Sequence, residues 1–171
     1  MKNLFLLLLA ISLNAIDLEN LHSFEADFTQ TITNDKNTTI TYKGHMQASK
    51  PQFAIWHYIF PVEKSIYISN AEAVIIEPEL EQAYVQKIDL DFDFFHIIKE
   101  AKKIEKNTFI TEFQNTKYTL KVINNKLVSI IYKNELDNSV KIIFSNQQKN
   151  KTYKEIDFTP NIPTEYDIIR G

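Results

Sequence analysis

The sequence contains no cysteine and only two glycines, Gly44 and Gly171. Without cysteine there are no disulfides, so packing alone must hold an exported fold together. Lipid is attached to bacterial lipoproteins at an N-terminal cysteine, so this chain is expected to be soluble and not itself lipidated. The shortage of glycine excludes phosphate-cradling loops of the GxxxxGK and GxGxxG kinds, and also the G-x-S-x-G elbow of a serine hydrolase. Charge of one sign is lacking too. The formal net charge of −3 gives no general attraction to nucleic acid or anionic lipid. The lysines scatter; the densest run, KKIEK at 102–106, reads as a solvated helix end. The histidines at 22, 45, 57 and 96 have no metal-ligand spacing. Asp89, Asp91 and Asp93 lack the glycine and closing glutamate of a calcium loop and read as helix-capping residues. No enzyme, metal site or cofactor is expected.

What is present begins with MKNLFLLLLAISLNA, residues 1–15: a lysine, an apolar run from Leu4 to Leu13, then a small residue. This is the pattern of a secretory signal peptide, and the run is about half the ~20 residues a membrane-spanning helix needs. Residues 16–171 are left as one domain with room for a sizeable core.

Along that domain the hydrophobic period is mostly two. Ile16, Leu18 and Leu21 suggest a short N-terminal helix, and FEADFTQTI and ITYKGHMQA then read as a hairpin turned at 34–37. PQFAIWHYIFP, SIYIS, AVIIE and YVQKI follow as strands. In DLDFDFFHIIKEAKKI, Phe94, Ile97, Ile98, Ala101 and Ile104 recur at helical steps, which predicts an amphipathic helix. TFITEF, KYTLKV, LVSIIY, VKIIF and YKEIDF complete a meander with asparagine-rich turns at 115, 124–125, 134–138 and 146–150. Asparagine tolerates positive φ and does the turn work of glycine. The fold class is mainly β with a few helices: about eleven antiparallel strands, which can bury a concave face either as a sandwich or as a curved barrel, with helical segments placed where they could lie across a barrel's mouth.

The strand 53–60 poses a problem. Phe53, Ile55, His57 and Ile59 alternate with Ala54, Trp56, Tyr58 and Phe60, so both faces are apolar. One face can line a concave interior, and Trp56 selects the even-numbered one; the other needs a cover.

SFEADFTQT, followed by KGHMQASKPQFAIWHYIFPVEKSIYISNAEAVIIEPELEQA, resembles the LolA family of periplasmic outer-membrane lipoprotein carriers. Ser23, Phe24, Ala26, Phe28 and Gln30 match its opening; Gly44, Lys50-Pro51, Trp56, Pro61, Pro78 and Gln82 follow in order, and FTPNIPTEYDII is similar to its ending. The resemblance implies an incomplete barrel with a helical lid, whose apolar interior shelters lipoprotein acyl chains. It implies a monomeric periplasmic carrier that collects cargo from an inner-membrane ABC-type extractor and hands it to an acceptor at the outer membrane. The residues that correspond to the cavity lining are Phe28, Ile32, Tyr42, Met46, Trp56 and Tyr58. Leu18, Leu21, Phe94, Phe95 and Ile98 correspond to the lid, and Lys50 to its latch. The family has arginine at the latch, and the point charge of Lys50 replaces that planar fork. The turn Ser69-Asn70-Ala71 lacks the family glycine. The alternative is a lipoprotein- or lipid-sensing scaffold on the same half-barrel; a sensor is expected to bring a second domain, which favours the carrier.

Overall fold

The computed structural model describes residues 20–69, 71–88 and 94–171. Two meanders make one sheet. The first comprises β1 (Ser23–Thr33), β2 (Thr39–Ser49), β3 (Phe53–Phe60), β4 (Lys64–Ser69), β5 (Glu72–Glu77) and β6 (Gln82–Lys87). A helix, α1 (Phe94–Lys99), leads into the second: β7 (Lys102–Glu105), β8 (Thr108–Phe113), β9 (Thr116–Ile123), β10 (Lys126–Lys133) and β11 (Ser139–Lys149). The closing strand is β12 (Asp167–Arg170). The strand order is β12-β6-β5-β4-β3-β2-β1-β11-β10-β9-β8-β7, so β1 joins the halves by pairing with β11 and the edges stay open. All neighbours are antiparallel except β12, which runs parallel to β6.

The turns explain the asparagines. Asn34 Oδ1 accepts the amides of Lys36 and Thr38, and Asn134 Oδ1 those of Leu136 and Asn138, closing two loops of the same design. Gln114-Asn115 and Asn124-Asn125 have positive φ at both positions, the two-residue turn that matches the twist of a hairpin. Gly44 serves a different purpose. Phe28 stands beside Gly44 on β2, and Tyr58 stands beside Gly44 on β3. With no side chain between them, the Phe28 ring reaches within 5.0 Å of both Trp56 and Tyr58 although a whole strand intervenes. A Cβ on Gly44 would stand 2.0 Å from the His57 carbonyl oxygen and 2.7 Å from Phe28 Cζ.

The curl is visible in the core. Ala54 and Tyr58 from β3 belong to the same buried cluster as Phe109 from β8 and Leu120 from β9, strands far apart in the sheet order. On the outer side the two halves of the face differ. Across β1, β2 and β11 it is polar, with Glu25, Asp27, His45 and Gln148. Across β3 to β6 the row Ile55, Tyr67, Val74 and Val85 is apolar. The segment after β11 crosses that apolar part. Phe158 is fully buried and stacks on Phe53 with centroids 5.5 Å apart, while Ile162 and Tyr166 pack on Val74, Ile76 and Val85. This strap is the missing cover for the second face of β3.

Several expectations need correction. The helical pattern ends at Lys99; KKIE forms the exposed edge strand β7, and Ile104 faces solvent. YKEIDF is no strand, because Glu155–Phe158 form a 3-10 turn that drives Phe158 into the outer face. The stretch 146–150 is no hairpin turn either, since β11 runs on to Lys149 and Asn146, at φ 51°, sits in a bulge opposite β1. Of the stretch expected to form an N-terminal helix, the residues before Asn20 lie outside the described ones; Asn20 to His22 are not helical, and Leu21 is buried in the main core just before β1. Asp89, Asp91 and Asp93 also lie outside them. The strand β12 was not foreseen.

An ionic cluster ties the strap to the polar half of the outer face. Glu25 accepts hydrogen bonds from Lys151 Nζ and the Tyr153 hydroxyl, and its other oxygen is 3.2 Å from His45 Nε2. Asp27 bonds His45 Nδ1 at 2.8 Å and accepts from Asn146 Nδ2 at 2.6 Å. Burial opposes ionisation of Glu25, but the hydrogen bonds from Lys151 and Tyr153 and the charges of Lys151 and His45 outweigh it, so its carboxyl titrates below the usual range. Hydrogen bonds from Asn146 and His45 do the same for Asp27. Acids depressed by folding stabilise above their unfolded pKa, and that contribution disappears as pH falls through the folded value. The urea midpoint is therefore expected to drop between about pH 5 and pH 3, and Glu25→Gln to flatten that drop; an unchanged acid limb would contradict this assignment. A second expectation concerns Ala71, which adopts φ 67° where the family pattern has glycine. Ala71→Gly relieves left-handed strain and, after the entropy that glycine adds to the unfolded chain, should raise the unfolding free energy by about 0.5–1 kcal/mol.

Candidate functional site

The concave face is not packed solid. A cavity of about 240 Å³ lies between β3 and β4 on one side and β9 to β11 on the other. Its walls are apolar because the even positions of β3 and β4, Ala54, Trp56, Ile66 and Ile68, turn inward together. Ile130, Tyr132 and Ile142 face them from the second meander, with Tyr118 beside Tyr132 at 5.0 Å between ring centroids. Phe94 and Ile97 of α1 bound the remaining side.

Polar atoms are few and neutral. Tyr58 donates to Gln30 Oε1 at 3.2 Å, which satisfies a buried hydroxyl without introducing charge. Burial pushes the Tyr58, Tyr118 and Tyr132 phenols above their ordinary pKa, so all three stay protonated at any physiological pH. Among the described residues no group of three or more His, Cys, Asp or Glu could hold a metal. The arrangement offers dry surface and no reactive constellation.

The residues singled out from sequence fall in three positions. Trp56 and Tyr58 border the cavity, as does Phe94. Phe28 and Met46 are fully buried behind that surface: Phe28 edge-on to both aromatic rings, Met46 opposite Trp56 in the ladder. Ile32 and Tyr42 pack against the core without bordering the cavity, Tyr42 edge-on to Tyr58 at 5.8 Å. Leu21, Phe95 and Ile98 are buried in the same cluster, and Leu18 lies outside the described residues. Sequence reasoning missed Gln30, Ile66, Ile68, Tyr118, Ile130, Tyr132 and Ile142. Their alternation was legible in FEADFTQTI, SIYIS, KYTLKV, LVSIIY and VKIIF; what could not be read was which alternate sets of the second meander turn inward.

The six-residue α1 is held by aromatic contacts. Phe24 of β1 meets Phe94 at 5.2 Å, and His96 meets Phe113 of β8 at 5.7 Å. Lys50, at the β2–β3 turn, sets its ammonium 5.7 Å from the centre of the Phe95 ring. A cation at this distance from an aromatic face is attracted by its quadrupole.

The comparisons by sequence name one family. The family model described as "Outer membrane lipoprotein carrier protein LolA" matches residues 19–161. A relative from Campylobacter jejuni named outer-membrane lipoprotein carrier protein is 38% identical over 99% of this chain and 100% of its own. One of the same name from Helicobacter pylori is 36% identical over 86% of this chain and 74% of its own. Among solved structures, a LolA superfamily protein from Nitrosomonas europaea superposes with a TM-score of 0.54 over 82% of this chain and 91% of that one; at 9% identity it speaks for the fold alone.

The Lys50–Phe95 contact generates a test. An arginine stacks on an aromatic face and also offers a donor fork, so Lys50→Arg should slow amide exchange in α1, and Lys50→Ala should speed it by roughly two- to fivefold. Equal rates in all three proteins would remove Lys50 from the control of α1.

Proposed function

The chain belongs to the LolA family of outer membrane lipoprotein carrier proteins, and we propose that its concave cavity holds the acyl chains of lipoproteins in transit through the periplasm. The observation that carries this reading is the cavity itself: an interior of about 240 Å³ with apolar walls and no charged group among the residues that line it. Each methylene withdrawn from water is worth about 0.8 kcal/mol, so a protein bearing several long chains cannot cross an aqueous compartment unaided. A carrier needs only comparable dry surface. It is no enzyme: nothing is bonded or broken, and the energy for extraction enters elsewhere.

In this reading residues 1–15 are a cleaved signal peptide and residues 16–171 form one monomeric carrier domain. Trp56, Tyr58, Ile66 and Ile130 contact the acyl chains. Phe28, Met46, Tyr42 and Ile32 form the aromatic and aliphatic layer behind them, which yields as the cavity widens. The helix α1, with Phe94, Phe95 and Ile98, is the lid, together with Leu21 and Leu18, and Lys50 is its latch. Cargo arrives from an ATP-driven extractor in the inner membrane and leaves to an acceptor at the outer membrane.

The single tryptophan makes the test direct. Titration with a triacylated lipopeptide should shift Trp56 emission to the blue. Ile66→Asp, which sets a charge on a partly buried cavity wall, should weaken that binding more than tenfold while leaving the circular dichroism spectrum unchanged. Mass spectrometry of the protein purified from its native periplasm should show triacylated polypeptide; free phospholipid, or nothing, would favour the sensing scaffold.

A further inference from the structure

One end of the curled sheet carries the turns β1–β2, β3–β4, β5–β6, β8–β9 and β10–β11. The β3–β4 turn differs from the rest. Ile59, Phe60 and Val62 are 70%, 54% and 43% exposed, with Pro61 between them. A bulge puts them there: Gly44 faces Tyr58 but Lys43 faces Phe60, so Ile59 is an extra residue and the strand end twists both side chains into solvent. Ile40, also exposed, lies on the part of β2 that runs past the end of β3. Monomeric proteins rarely leave such a cluster bare without a partner for it.

We propose that this tip inserts into the surface of a phospholipid bilayer. The charges around it select that occupant. Lys43 is paired with Phe60 and Lys64 with Tyr58, so an apolar point is flanked by two lysines, with Glu63 between them in the turn. Lysines beside an apolar point can bury their stems while their ammonium groups meet lipid phosphates. The neighbouring tips do not share this pattern: exposed Leu80 stands between Glu79 and Glu81, and exposed Leu136 between Glu135 and Asp137. The tip also continues directly into the cavity wall. Tyr58 is one residue from Ile59, and the Lys64 ammonium lies 4.8 Å from the Tyr58 ring, between tip and cavity. Insertion brings the cavity beside the lipid, where acyl chains can pass between protein and bilayer without crossing water. This inference rests on the carrier reading for its purpose, but the surface stands on its own geometry.

The test uses cargo-free protein and vesicles of phosphatidylethanolamine with phosphatidylglycerol. Cosedimentation should show reversible binding. Ile59→Ser combined with Phe60→Ser should lower the partition coefficient about tenfold or more, and Leu136→Ser should leave it unchanged. The double variant should still shift Trp56 emission with triacylated lipopeptide, which shows that it is folded and that its cavity is intact. Vesicle binding that survives the double substitution, or that falls equally in Leu136→Ser, would overturn the proposal. So would a wild-type protein that ignores vesicles, and a tip then needed for cargo handover would be serving a protein partner. If vesicles bind but lipopeptide never alters Trp56, the carrier reading fails and the lipid-binding tip remains.

Discussion

The pairing of β1 with β11 is the contact on which the rest of the molecule depends. Residues more than a hundred positions apart stand side by side there, Phe28 beside Phe144 and Gln30 beside Ile142, and without this ladder the chain would be two separate sheets. With it, the inward residues of the first meander face those of the second, and the hollow between them exists. The bulge at Asn146 and the bare backbone at Gly44 accentuate the bend locally, because an extra residue and a missing side chain each let neighbouring strands twist more strongly.

A curled sheet has a problem on each side, and the chain answers them differently. Inside, too few side chains reach the centre to fill it, so Trp56, Ile66 and Ile130 border open space while Phe28 and Met46 seal the layer behind. Outside, the β3–β6 half is as apolar as the inside, and the C-terminal strap covers it with Phe158, Ile162 and Tyr166. The Glu25 cluster secures the start of that strap through Lys151 and Tyr153. An opening on the concave face therefore need not disturb the convex one, which suits a carrier whose interior must change volume while its frame persists.

The sequence-based expectations failed where two physical signals competed. KKIE continues a three- and four-residue hydrophobic spacing, yet it is short, lysine-rich and adjacent to the free edge of β8, and pairing there outweighed the helical period. In YKEIDF Ile156 and Phe158 alternate, but only Phe158 answers to the outer face of β3 while Ile156 stays exposed, so a tight turn that buries Phe158 replaced a strand. The strand β12 was hidden because it is short, exposed and parallel to β6, and so has no alternation to detect.

The sequence alone determined the class of the protein: a β-rich chain without disulfide, phosphate loop or catalytic elbow, turned by asparagines, with the residues of a lipoprotein carrier in order. These follow from local chemistry, since period, turn propensity and the absence of a residue type need no knowledge of what lies across the fold. Trp56 marked the inward face of β3, but only the tertiary structure decided which residues of the second meander oppose it and what covers the back. Both faces of that strand are apolar, so its periodicity carries no sign. The sign comes from strands β9 to β11 and from the strap, brought in by contacts that no short stretch of sequence encodes.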